Sequence, residues 1–112
     1  MAKGDFLGEF EQIILLAVLR LQETAYGMEV RREIEARTGR ENSIGAVYAT
    51  LDRLEHKGLV RSREVPAPDA GGRPRRLYRV TASGLRALER SQQAVSSMLE
   101  GLRIRGARPQ TA

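Results

Sequence analysis

Ser43-Ile44-Gly45-Ala46-Val47-Tyr48-Ala49-Thr50-Leu51-Asp52-Arg53-Leu54-Glu55-His56-Lys57-Gly58 is the stretch on which the fold turns. Ser43 is a favoured N-cap residue and Gly58 a helix stop, so the segment reads as one helix running to about Lys57. Stepped at about 100° per residue, Ile44, Val47, Leu51 and Leu54 gather on one side with Tyr48 at its edge. The opposite side carries Gly45, Ala46, Ala49, Thr50, Arg53 and Lys57, small toward the N-terminus and basic toward the C-terminus. An ordinary solvated face would carry long Glu, Lys and Gln side chains. Small residues let a backbone approach closely, Ala and Thr methyls suit thymine methyls, and Thr and Arg reach base edges and phosphates. The plainer reading is that alanine simply favours helix. Tyr48 is either a core aromatic with its hydroxyl at the rim or a phosphate donor, and the second is the expectation. His56, in the final turn, reads as a surface residue.

Upstream, Phe10, Ile13, Ile14, Ala17, Val18 and Leu21 form one broad helical face. Leu15, Leu16 and Leu19 make the other sides of this first helix apolar as well, so it should be nearly enveloped by its own domain or by a partner chain. Thr24 is a candidate N-cap for a second helix carrying Tyr26, Val30 and Ile34 and ending near Gly39. Downstream, Leu59 to Val65 and Leu77 to Thr81 read as strands around a Pro- and Gly-rich hairpin tip. Thr81 caps a last helix in which Leu85, Leu88, Gln92, Val95, Leu99 and Leu102 are spaced 3, 4, 3, 4 and 3 apart. That spacing is a dimer seam with one polar residue to fix its register, or else a helix packed on its own domain. From Arg103 on there is no periodicity, and a frayed basic tail is expected.

The 112 residues carry a net charge of +5, and the excess is local. Residues 1–42 hold six basic and eight acidic groups, residues 43–80 eight and four, and residues 81–112 five and two. The peak is Arg73-Pro74-Arg75-Arg76-Leu77-Tyr78-Arg79, with four arginines in seven residues. Such a stripe suits a polyanion, although a solvated loop that aids solubility would look the same. With no cysteine and one histidine, no metal site and no cofactor is expected. Phosphate-loop, GxSxG, HExxH and GxGxxG spacings are all missing, so an enzyme is not expected. The longest apolar run, Ile13 to Leu19, is far short of the roughly 20 residues of a membrane span, and a cytoplasmic protein is the expectation.

Three helices followed by a two-stranded hairpin with a basic tip is the order of a winged helix-turn-helix, here mainly α with a small β-hairpin. On Leu7-Gly8-Glu9-Phe10-Glu11, Ala25-Tyr26-Gly27, Ser43 to Tyr48, Leu51 to Glu55, Lys57 to Val60, and Gly71-Gly72-Arg73-Pro74-Arg75-Arg76-Leu77-Tyr78 with Arg79-Val80-Thr81, the chain resembles the PadR-type transcriptional regulators over about residues 7 to 90. The resemblance implies a homodimeric regulator of double-stranded DNA, usually a repressor, paired through its C-terminal helix with help from the first. It also implies DNA contacts from Tyr48 and its neighbours and from the wing arginines.

The expected contacts are therefore Ser43, Gly45, Ala46, Tyr48, Ala49, Thr50, Arg53 and Lys57 on the third helix and Arg73, Arg75 and Arg76 on the wing. The expected division is a DNA-binding domain over 7–81, a dimerisation helix over 82–102 bearing Leu85, Leu88, Gln92, Val95, Leu99 and Leu102, and a flexible basic tail over 103–112. One C-terminal helix instead of several places the chain with the short branch of that family. Only five residues are aromatic, and three belong to the core or the DNA-facing helices, so nothing in the sequence supports a small-molecule effector. The competing function is a protein-interaction module whose third helix and wing bind an acidic partner.

Overall fold

In the computed structural model, residues 6–67 and 71–110 are described. The order is α1 (Glu9–Leu21), a tight turn over Gln22–Thr24, α2 (Gly27–Thr38), α3 (Ile44–His56), β1 (Val60–Val65), β2 (Arg75–Val80) and α4 (Ala82–Leu99). The strands pair antiparallel, with Val60 opposite Val80 and Val65 opposite Arg75. Pro68, Asp69 and Ala70 of the expected hairpin tip lie outside the described residues, as do tail positions 111 and 112.

Two of the expected caps form. The Ser43 hydroxyl accepts from the Ala46 N–H at 3.0 Å, and the Thr81 hydroxyl accepts from the Gly84 N–H at 3.0 Å. Each satisfies an N–H that the first helical turn leaves unpaired, a contribution of about 1 kcal/mol. Gly58 closes the α3 turn with φ +78°, a left-handed backbone that side chains resist. Thr24 departs from expectation: its hydroxyl donates to the Leu21 carbonyl at 2.8 Å and ties off α1 instead of capping α2. The physical reason is that the next residues are claimed by the sheet. Tyr26 is extended and bridges Leu77, while the Tyr78 N–H donates to the Ala25 carbonyl, so α2 can begin only at Gly27.

The core forms where α1, α2, α3 and the sheet converge. Ile14, Leu15, Val30, Val47, Leu51, Leu54 and Tyr78 are all but inaccessible, and each large aliphatic among them contributes roughly 1.5–3 kcal/mol by burial. Leu16 and Leu19 of α1 are not enveloped by their own chain and stay exposed. The last helix ends at Leu99, three residues before the expected limit, and Leu102 follows it in a turn closed by its N–H on the Leu99 carbonyl. Residues 103–110 form neither helix nor strand.

Candidate nucleic-acid interface

Gly45, Ala46 and Ala49 are exposed on the outer side of α3, as their spacing predicts, and Ser43 spends its hydroxyl on the cap. Thr50 corrects the sequence reading. It is 4% exposed: it lies about 40° beyond Leu54 around the helix, at the border of the inward apolar side, and is covered there. Asp52, which the charge count alone did not single out, stands exposed on the outer side, and its position one turn after Tyr48 was the available signal.

Tyr48 links α3 to α2. Its ring lies so close to Gly27, the first residue of α2, that any Cβ there would collide with it. Beside this contact the Arg75 guanidinium sits over the Tyr26 ring, 4.1 Å from its centroid, a cation–π arrangement that holds the tip-side end of β2 against the entry to α2. Arg76 donates to the Ser62 hydroxyl at 3.2 Å, and Ser62 gives its own N–H and O–H to the Glu55 carboxylate of α3. Arg75 and Arg76 thus lie on β2 rather than in the tip, and Arg73 is exposed just before it. Tyr48, Tyr26, Arg73, Arg75 and Arg76 line one open groove of about 610 Å³.

Arg53 and Lys57 are exposed on the flank toward α1, where both meet Glu11. The Lys57 ammonium is 2.9 Å and the Arg53 Nε 3.4 Å from Glu11 Oε2, while Oε1 accepts the Gly8 N–H at 2.9 Å. Burial opposes the Glu11 carboxylate, but the Gly8 N–H and the Lys57 and Arg53 cations outweigh it and hold its pKa below the ordinary value. No sequence pattern joins residue 11 to residues 53 and 57; only the packing of α1 on α3 does.

On α4, Leu85, Val95 and Leu99 are exposed, as is Leu102 beyond it. Leu88 is corrected: at 6% exposure it belongs to the domain's own core, since the helix lies on α1 along this row before it leaves the body. Gln92 reaches α1 of its own chain, donating to Gln12 Oε1 at 2.6 Å.

A three-helix body with its third helix presenting a small-residue surface, and a hairpin whose basic strand borders that helix, define a winged helix-turn-helix protein with an added C-terminal helix. The sequence model of the transcriptional regulator PadR-like family matches residues 15–90, so the chain belongs to that family, whose members are regulators and not enzymes. A protein of Lysinibacillus sphaericus described only as uncharacterized is 32% identical over 87 residues, covering 75% of this chain and 76% of its own. A PadR family transcriptional regulator from Eggerthella lenta is 28% identical with a TM-score of 0.60, covering 83% of this chain and 88% of the other. A PadR-like transcription factor of Bacteroides fragilis shares the fold, with a TM-score of 0.68 at 23% identity over 81% of this chain and 84% of the other. Among the described residues no helix is long and apolar enough to cross a membrane, and no group of metal-ligating side chains occurs.

Proposed function

We propose that the protein is a homodimeric repressor that binds a short palindromic operator through α3 and the wing. The observation that carries this reading is the shared groove: Tyr48 of α3 and the wing arginines border one open surface beside the small outer residues of α3. Gly45, Ala46 and Ala49 allow α3 to lie deep in a major groove, with Asp52 placed to accept from a cytosine amino group. Tyr48 and the cations Arg73, Arg75 and Arg76 then take phosphates, which position the protein without reading sequence. Pairing uses the exposed Leu85, Val95, Leu99 and Leu102 with Leu16 and Leu19 of α1. Gln12, Leu16 and Leu19 form one row of α1, and Gln12 at its start bonds Gln92 of α4, which brings that row up to the last helix. In such a dimer the half-sites lie about 34 Å apart, and occupancy of the operator blocks the promoter.

The test is selection of bound sequences from a random duplex library, followed by anisotropy titration of the enriched duplex at several salt concentrations. A palindrome should emerge, and log K should fall with log salt at a slope near −5 if about six phosphates are neutralised. Transcription in vitro from a promoter overlapping the enriched site should fall as protein is added. No enrichment and no duplex binding at low salt would return the protein to the acidic-partner reading.

A further inference from the structure

The cations of the reading helix share one acidic partner. Between Ser43 and Gly58 the only Lys and Arg residues are Arg53 and Lys57, and one carboxylate, Glu11, binds both. Glu11 is 8% exposed and fixed from a third side by the Gly8 N–H, so it cannot swing away with either cation. The fold does not demand a charge at this position. The contact to Gly8 is the return half of a capping box, which glutamine makes as well as glutamate. A buried carboxylate is costly unless paired, and here the pairing is supplied entirely from α3. Of the acidic residues on α3 itself, Glu55 is engaged by Ser62 and Asp52 stands in solvent.

We infer that Glu11 is a positioning and specificity-determining residue, one that withholds Arg53 and Lys57 from DNA phosphates so that α3 discriminates bases while the wing supplies the sequence-independent attraction. This rests on the DNA-binding reading above. Free cations raise affinity for every duplex alike, because each phosphate neutralised releases counterions whatever the sequence. A reading helix whose cations are tethered adds little to binding at random sites, and the discrimination of Gly45, Ala46, Ala49 and Asp52 is less diluted.

The experiment compares the full chain with Glu11→Gln, which keeps the capping contact and removes the charge. Glu9→Gln serves as control, since Glu9 lies in the same turn but pairs with Arg40. Both are titrated against the library-enriched duplex and against a random-sequence duplex of equal length. For Glu11→Gln the random duplex should be bound at least about threefold more tightly at low salt. The salt slope should steepen by about 2 if one freed cation per protomer reaches a phosphate, and the ratio of enriched to random affinity should fall. Glu9→Gln should change the slope by less than half as much. An unchanged slope and ratio in a Glu11→Gln protein that melts as the parent does would overturn the proposal. Should Glu11→Gln not fold, Lys57→Gln and Arg53→Gln decide: tethered cations predict the parent's salt slope in each, and a slope shallower by about 0.9 per phosphate lost means that these side chains touch DNA after all. If the parent itself binds no duplex, it is the DNA-binding reading that fails.

Discussion

Tyr48 and Gly27 are a pair in which each residue explains the other. A glycine opening α2 leaves room for the Tyr48 ring, and that ring brings a hydroxyl to the groove edge. Gly27→Ala should therefore displace Tyr48, costing about 1–3 kcal/mol of stability by overpacking and weakening binding to all duplexes, whereas Tyr48→Phe should weaken binding and leave the melt unchanged. Urea unfolding beside anisotropy separates the two outcomes. Tyr78 is the buried tyrosine, and its pKa is pushed up to about 12, first by burial and then by the carboxylate of Asp52 and by Tyr48 and Glu55. A raised acid pKa stabilises the fold fully below the ordinary value of 10, and that stability drains away as pH rises from there toward 12. Tyr78→Phe should flatten this alkaline limb in unfolding curves taken at successive pH values. Tyr48 could be placed from sequence because it lies at the edge of a periodic face. The inward turn of Thr50 was missed because its hydroxyl and methyl suit either side of a helix. The Glu11 cluster joins residues 42 and 46 positions apart, beyond the reach of any local pattern.

At the scale of elements, the helices followed from periodicity and caps, with Ser43 and Thr81 marking the two starts that mattered most. The start of α2 did not, because a long-range pairing of Ala25 and Tyr26 with β2 overrode the local preference of Thr24. The joint between the wing and α4 gives a test in which two effects compete. Gly84→Ala gains up to about 1 kcal/mol of helix propensity, but its new Cβ would collide with the Leu59 carbonyl and with Val80. Collision with backbone should win, giving a net loss of about 1–3 kcal/mol in denaturant unfolding. A stabilised Gly84→Ala would show that the joint yields.

The whole molecule is longer than a chain of this size needs to be. Its radius of gyration is 16.8 Å, against about 13 Å for a compact domain of similar length, and its longest dimension is 61 Å. The excess comes with the second half of α4, which carries Val95, Met98 and Leu99 into solvent, and with the exposed residues 100–110 that follow it. A heptad count could not separate Leu88 from these neighbours, since an inward row and a pairing row have the same period and only the departure of the helix from the body distinguishes them. Leu88→Ala should cost about 2–5 kcal/mol of stability at any protein concentration. Val95→Asp combined with Leu99→Asp should instead leave a folded monomer in analytical ultracentrifugation, with a melting temperature that no longer rises with concentration.

Thr81 sits between the two ends of this elongated body. Its N–H donates to the Leu59 carbonyl and its hydroxyl to the Gly58 carbonyl, and Gly84 packs on the same strand entrance one turn later. The chain therefore passes from β2 into α4 with no slack. In the proposed dimer this makes the pair of reading helices a fixed caliper whose opening is set by α4 and cannot be adjusted by a hinge. A spacer lengthened by about five base pairs turns one half-site to the far side of the duplex. Binding to such a site should fall to the level of random DNA, and restoring a full turn by lengthening the spacer further should leave only one half-site engaged at a time.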